Sequence, residues 1–398
     1  MRTNTPTRRT RPKNRAVPRV ALLFEATNAY ARTQLLGIGE YILSAGPWSV
    51  TLADMGANDG PPRWLSRWRG DGVIVRGENR RLVNAVQRLG VPCVDLTPSR
   101  LFPSSPWVKS DDSLICELAA NHFLERGFRN FAYCGDARFS WACVRGEGFS
   151  ACLQRAGHAC DILSPASSPA DIDSLIDEIG AWLAALPKPV AVFTCYDNRG
   201  QQVLEACQRM RLGVPEEVAV LGVDNDEVLC SLSPPPLSSV ILNPRRAGWE
   251  AAHLLDKLIR RAKLAPEERV RLIPPVGVAT RQSTDILAVE DPRIASALRF
   301  IREHACDRIT VGDILSHNPM SRRVLEMRFR KLIGRTPRQE VLRVQLGKVK
   351  ELLVGTALPV WEIAARVGFD PNHLSVVFRE ETGIGPRAYR ERYGNVPR

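Results

Sequence analysis

The chain has 398 residues, 44% of them hydrophobic and 25% charged, which is ordinary for a globular protein and long enough for two or three domains with full cores. No apolar run approaches the ~18 residues of a membrane span, and no apolar segment with a cleavage signal follows the basic N-terminus, so neither a membrane nor an export role is expected. Ten cysteines are scattered without C-x-x-C pairs, which argues against a zinc cluster and suits reduced thiols in the cytoplasm.

The net charge of +12 is unevenly placed. Residues 1–19 hold seven Lys/Arg and no acid, and residues 291–398 hold 20 basic against 12 acidic side chains. The middle of the chain is mildly acidic. Basic ends suggest a polyanion such as nucleic acid, although basic tails are often only solvated. "MRTNTPTRRTRPKNRAVPR", rich in Thr, Pro and Arg, reads as a disordered basic arm over 1–19.

From Val20 onward short apolar runs alternate with helical patterns. "RVALLFEA" reads as a buried strand, "TQLLGIGEYILSAG" as a helix ending at Gly46, "WSVTLADM" and "DGVIVRG" as strands. "RLVNAVQRLG" is a helix closed by Gly90, "VPCVDL" a strand, and "SLICELAANHFLERG" a helix ending at Gly127. The strand "NFAYCG", the helices "RGEGFSACLQRAG" and "DIDSLIDEIGAWLAAL", and the strand "PVAVFTCYD" follow. "RGQQVLEACQRMRLG" is a helix and "VAVLGVDND" a strand. Such alternation predicts parallel sheets covered by helices, and continuous apolar strands are what a sheet buried on both faces requires.

Ligands of open parallel sheets sit beyond the carboxyl ends of the strands. The polar residues there include Tyr30 in "EATNAYAR", Trp141 and Arg145 in "GDARFSWACVRGEG", Asp197 in "YDNR" and Asp224 in "GVDND". Carboxylates, a guanidinium and aromatic rings together suit a polyhydroxylated ligand. Each alone also reads as a helix cap or a loop charge.

The stretch from Ala191 to Val228 resembles the effector domain of LacI/GalR-type repressors, and the pattern continues through "LSSVILNPRRAGWEAAHLLDKLI" to "RQST" at Thr284. The resemblance covers roughly 20–285. It implies the fold of type I periplasmic sugar-binding proteins: two α/β lobes joined by crossing segments, with the effector between them. By motif it assigns effector contacts to Arg145 and Asp224, and also to Asp111 in "VKSDD" and to Asp197. Tyr196 stands where that family often has Asn. The DNA-binding module that usually precedes such a domain has no counterpart in the basic arm.

A repeat supplies a candidate reader instead. Laying Val311 on Val360, an offset of 49, aligns Ile314 with Ile363, Met320 with Phe369 and Leu325 with Leu374. It also aligns Phe329 with Phe378, Gly334 with Gly383 and Pro337 with Pro386. Coincident apolar, Gly and Pro positions mark a true repeat. Each copy reads as a short helix, a turn and a longer amphipathic helix, with Ser321 and Asp370 as caps of the longer ones. The outer faces carry Arg322, Arg323, Glu326 and Met327 in the first copy, and Asn372, His373, Ser375 and Val376 in the second. Such side chains at the start of a helix can reach base edges in a major groove; the rival reading is a helical unit whose polar face is merely wet.

Residues 291–393 resemble the AraC-type DNA-binding domain, with "IAARVGF" followed by "FREETGIGPRAYR". "FDPNHL" departs from it by one residue fewer before the second long helix. The resemblance implies two helix-turn-helix motifs entering successive major grooves. Base reading then falls to Arg322, Arg323, Glu326, Met327, Asn372, His373 and Val376, and phosphate contacts to Arg330, Arg379 and Arg387.

The full expectation is an α/β two-lobed periplasmic-binding-protein-like domain with parallel sheets (20–285), plus an all-α domain with two helix-turn-helix motifs (291–398). That order, with "ALLFEATNAYAR…GIGEY" and "DPRIASALRFIREHAC", resembles the xylose-responsive regulators of xylose operons. It implies a transcription regulator, an activator in the main, responding to xylose or a similar pentose. Expected partners are operator or promoter DNA, a sugar effector, a second copy in a homodimer, and RNA polymerase. No cofactor or metal is expected. Two rivals stand: a DNA-binding regulator with a non-sugar ligand or none, and a DNA-repair enzyme with an AraC-type segment. The second needs an activated Cys in a metal cluster, and the sequence offers no nucleophile–base pair.

Overall fold

The computed structural model describes residues 17–26, 28–56, 59–77, 80–165, 171–286 and 291–393. Most of the basic arm lies outside that range.

The first lobe is built on β1 (Arg19–Phe24), α1 (Ala29–Ala45), β2 (Ser49–Asp54), β3 (Gly72–Arg76), α2 (Arg80–Gln87), β4 (Cys93–Asp95) and β5 (Trp107–Ser110). The chain then crosses to the second lobe. There it forms α3 (Asp112–Leu124), β6 (Asn130–Cys134), α4 (Ser140–Arg155), β7 (Cys160–Leu163), α5 (Ile172–Ala185) and β8 (Val190–Thr194). The same lobe continues with α6 (Asp197–Arg209), β9 (Val218–Val223), α7 (Glu227–Leu232) and β10 (Ser238–Ile241). Next, α8 (Pro244–Ile259) and β11 (Val270–Ile273) return to the first lobe, and β12 (Gly277–Ala279) rejoins the second.

Each sheet has six strands, in the orders β11-β5-β4-β3-β1-β2 and β12-β10-β9-β8-β6-β7. Every pairing is parallel except β10 with β12, which is antiparallel. The central strands earn their places by composition. Val190–Thr194 and Val218–Val223 are buried along their whole length, as a sheet covered on both faces demands. Three crossings join the lobes, so the carboxyl ends of both sheets face one cleft, where the effector was expected.

Helix α8 packs against α1 and beneath β3, β4 and β5. The approach is close because glycines stand at both contact points. A Cβ on Gly37 would lie 1.9 Å from the Arg245 carbonyl oxygen, and one on Gly248 1.9 Å from that of Gln34.

The remaining helices are α9 (Pro292–His304), α10 (Val311–His317), α11 (Arg322–Ile333), α12 (Pro337–Gly355), α13 (Val360–Arg366), α14 (Pro371–Thr382) and α15 (Pro386–Tyr393). The repeat is literal in three dimensions: α13, α14 and α15 begin 49 residues after α10, α11 and α12. Gly334 and Gly383 both take φ +76 just past α11 and α14, the left-handed stop that glycine adopts freely. Ser321 accepts from the Val324 N–H, and Asp370 accepts from that of His373. Ile314, Leu325 and Phe329 fill one core, and Ile363, Leu374 and Phe378 fill the other.

Helix α12 ties the halves together. The buried Gln345 amide donates to the Ala305 carbonyl at 2.9 Å and to the Val367 carbonyl at 3.0 Å. Gln345→Leu is expected to leave both carbonyls unsatisfied and to destabilise the helical domain by about 2 kcal/mol, read as a lower urea midpoint; an unchanged midpoint would show that water replaces the amide.

Candidate effector cleft and DNA interface

The cleft centres on Arg145 of α4. Burial alone would disfavour its charge, but Asp112 lies against it: Nη2 and Nε donate to Asp112 Oδ1 at 2.7 and 3.1 Å. Nη1 donates to the Cys195 carbonyl at the end of β8. Lys109 Nζ stands 2.5 Å from the other Asp112 oxygen. Burial works against ionising Asp112, yet Arg145 and then Lys109 outweigh it and hold the carboxyl below its usual range.

One wall is aromatic. The Arg145 guanidinium lies 5.2 Å from the Trp141 ring centre. Trp141 stacks on Phe139 at 5.4 Å and meets Tyr196 edge-on at 6.1 Å. Tyr196 donates to Asp136 Oδ2 at 3.1 Å, and Asp136 also takes Arg138 and Arg199. The Tyr at this position is therefore part of a second ionic layer beneath the cleft.

From the first lobe come Tyr30 and Arg76. The Tyr30 hydroxyl lies 3.0 Å from Ser110 Oγ. Arg76, the last residue of β3, covers the Tyr30 ring at 5.3 Å, and its Nε is buried with no hydrogen-bond partner among the described residues. Burial raises the Tyr30 pKa, and the fields of Arg76, Asp224 and Arg145 all reach its hydroxyl. Side chains from both lobes thus meet in one small space.

Asp224 sits at φ +108, followed by Asn225 at φ +53. Two successive non-glycine residues in this region mark stored strain. The surroundings hold them there. The Asp224 N–H donates to the Val240 carbonyl, the Asn225 N–H donates to Ser239 Oγ, and Arg281 Nη2 donates to Asn225 Oδ1. The Asp224 carboxylate itself accepts no hydrogen bond among the described residues.

Two of the expected residues, Asp111 and Asp197, have protein partners of their own. Asp111 caps α3, its Oδ1 accepting from the Ser113 and Leu114 N–H groups. Asp112, one residue on, makes the Arg145 pair. Asp197 is 1% exposed, and both of its oxygens are engaged, with Ser239 Oγ at 2.6 Å and the Asp226 N–H at 2.8 Å. Its place is beneath the turn that presents Asp224. Tyr30, Trp141, Arg145 and Asp224 do converge. Arg76 was legible by the same strand-end rule that picked the others. Asp112 needed the cap geometry, which shows that the second of two adjacent carboxylates is the one on Arg145.

Burial, and then the neighbouring Asp224, push the Asp197 carboxyl well above the usual carboxylate range, while burial raises Asp224 against the pull of Arg145 and Arg76. A carboxyl raised in the folded state binds its proton more tightly there than in the unfolded chain. Its stabilising effect is full below the ordinary carboxylate range and is lost as pH rises through the raised folded-state value. The thermal midpoint of Asp197→Asn is therefore expected to fall less than wild type between pH 6 and pH 8.5 by about several degrees; parallel curves would contradict the assignment.

In the helical domain the outer faces match the reader pattern. Arg322, Arg323 and Arg330 are exposed on α11, with Met327 at 59%. Arg322 Nε holds Glu326 at 3.0 Å. His373, Val376 and Arg379 are exposed on α14, and Arg387 on α15. The side chain of Asn372 lies outside the described residues. Leu325, Phe329, Leu374 and Phe378 face inward on the same two helices, so each presents one polar side outward.

Comparison with known proteins agrees with this layout. Residues 19–113 match the family described as the XylR N-terminal domain, 120–284 a periplasmic binding protein-like domain, and 316–392 a helix-turn-helix domain. The xylose operon regulatory protein of Escherichia coli (strain K12) is 30% identical over 384 residues, spanning 94% of this chain and 97% of the relative. The chain belongs to the xylose operon regulator family. The Haemophilus influenzae member is 29% identical over 94% of the chain and 98% of its own length. The solved structure of a xylose-binding transcription activator XylR superposes with a TM-score of 0.61 at 29% identity, covering 95% of this chain and 99% of that one. As a family member the chain is a sugar-responsive, DNA-binding transcription regulator. Among the described residues no helix is long and apolar enough to cross a membrane.

Proposed function

We propose that the protein senses D-xylose or a closely related pentose in the cleft and activates transcription from DNA sites read by α11 and α14. The observation that carries this reading is the meeting of Tyr30 and Arg76 from one lobe with Trp141, Arg145 and Asp224 from the other. A pentose has vicinal hydroxyls that both accept and donate. Arg145 and Arg76 supply donors, Asp224 supplies acceptors, and Trp141 covers the apolar ring face. Asp111, Asp112 and Asp197 support them, as cap, counter-ion and turn anchor. Both relatives described by full-length matches are named for the xylose operon, which supports the choice of pentose. Calorimetric titration with D-xylose, L-arabinose, D-ribose and D-glucose tests it. D-xylose is expected to give the tightest binding, and no heat from any of the four would overturn the sugar assignment.

On DNA, Arg322, Arg323, Glu326, Met327, Asn372, His373 and Val376 read bases, with phosphates held by Arg330, Arg379, Arg387 and the basic arm. A homodimer brings two such readers to one operator, and an activator of this kind then contacts RNA polymerase. Arg323→Ala is expected to relax base choice at one position by about 1–3 kcal/mol. Arg379→Ala should instead weaken all sites alike and lower the salt slope by about 1. A binding-site selection experiment at two salt concentrations separates the roles; uniform weakening by Arg323→Ala would make it a phosphate contact.

A further inference from the structure

We infer that a half-buried ion cluster between α3 and α12, built around the fully buried Glu340, is the joint through which the cleft addresses the DNA reader. Helix α3 has 13 residues, about 20 Å at ~1.5 Å per residue. Its first residue, Asp112, holds Arg145 in the cleft. Glu125, directly after its last turn, reaches the reader: Glu125 Oε2 stands 2.5 Å from Arg343 Nη1 of α12. Arg343 also donates to Glu340 at 2.8 and 3.1 Å. Glu340 is fully buried, with Arg335 Nε 2.8 Å away. Two carboxylates and two guanidiniums therefore neutralise one another where the effector domain meets the helical domain.

The same end of α3 grips the chain as it leaves the second lobe. Arg126 donates to the Thr284 carbonyl at 2.9 Å, the His122 carbonyl at 2.8 Å and Thr280 Oγ1 at 3.2 Å, and His122 lies 2.9 Å from Thr284 Oγ1. A shift or tilt of α3 thus acts on the reader twice, through the exit segment and through Arg343. Exposed ion pairs slide at little cost, but this half-buried pair is anchored on Glu340. Drawing Arg343 away with Glu125 takes one guanidinium from the fully buried Glu340 and leaves it with Arg335, so the arrangement favours discrete states over gradual drift. Helix α12 is also the helix whose Gln345 spans both halves of the reader, so a push on it reaches α11 and α14 together.

This inference rests on the effector reading for its physiological trigger, but its test does not. Hydrogen exchange of the full-length chain is measured for wild type, Arg343→Ala, Asp112→Asn and the double variant, with and without D-xylose. Asp112→Asn loosens the cleft end of α3 with no ligand present. It is expected to raise α12 exchange by about fivefold or more in the wild-type background and to add nothing once Arg343 is gone. D-xylose is expected to protect α4 and α6 in wild type and in Arg343→Ala alike, but to alter α12 only in wild type. A role confined to packing would raise α12 exchange in Arg343→Ala and leave both responses in place, which overturns the joint. Silence of α4 and α6 toward D-xylose would count against the sugar reading, while the Asp112→Asn comparison still decides the joint.

Discussion

Arg145→Met is expected to abolish the effector response, with the dissociation constant for the sugar rising by about 100-fold, or about 3 kcal/mol. Methionine fills the space beside Trp141 but cannot hold Asp112 or the Cys195 carbonyl. Among the described residues Asp112 then keeps Lys109 alone, so a carboxylate at 8% exposure loses its main counter-charge and its proton affinity rises. The cleft then loses a donor and gains a poorly compensated acid in one step. DNA binding in the absence of effector should survive, since α11 and α14 lie in a different core. Calorimetry for the sugar and anisotropy for DNA separate the two effects. A variant that still binds sugar normally would remove Arg145 from the site.

Gly248→Ala, alongside Gly37→Ala at the same contact, should be among the most damaging single methyls in the first lobe. The new Cβ would overlap the Gln34 carbonyl oxygen at 1.9 Å, and that atom belongs to helical backbone that cannot rotate aside. Helices α1 and α8 must separate, and α8 pulls away from the sheet it covers. Overpacking of this kind costs about 3 kcal/mol, several degrees in the thermal midpoint. Gly39→Ala, two residues from Gly37 on the same helix, meets nothing within 4 Å and should be neutral or stabilising by about 0.5–1 kcal/mol. Equal midpoints for the two variants would show that the helices do not touch through their backbones.

Much of this architecture is readable from local pattern. The buried strands β1, β3, β6, β8 and β9 are continuous apolar runs, and the reader repeats itself at a fixed offset down to its glycine stops. Strands β7 and β11 are short and half exposed, so their composition resembles a loop. The return of α8 to the first lobe has no local signal, because an apolar helix face does not say which sheet it will cover. The antiparallel β12 likewise follows from where the chain must go after β11. At the cleft, strand ends pointed to Tyr30, Arg145 and Asp224. The division of labour between Asp111 and Asp112, and the burial of Asp197 under the Asp224 turn, depend on hydrogen bonds that no spacing encodes.

The central claim is that one chain couples a sugar cleft to a DNA reader. Its most direct test is anisotropy of the full-length protein on a duplex from the promoter region adjoining its own gene, titrated at fixed salt with and without D-xylose. The sugar is expected to change the DNA dissociation constant by about fivefold or more, DNA to change sugar affinity by the same factor, and Arg145→Met to remove the sugar effect. Sugar binding that leaves DNA affinity unchanged, with DNA bound equally well in both conditions, would contradict it.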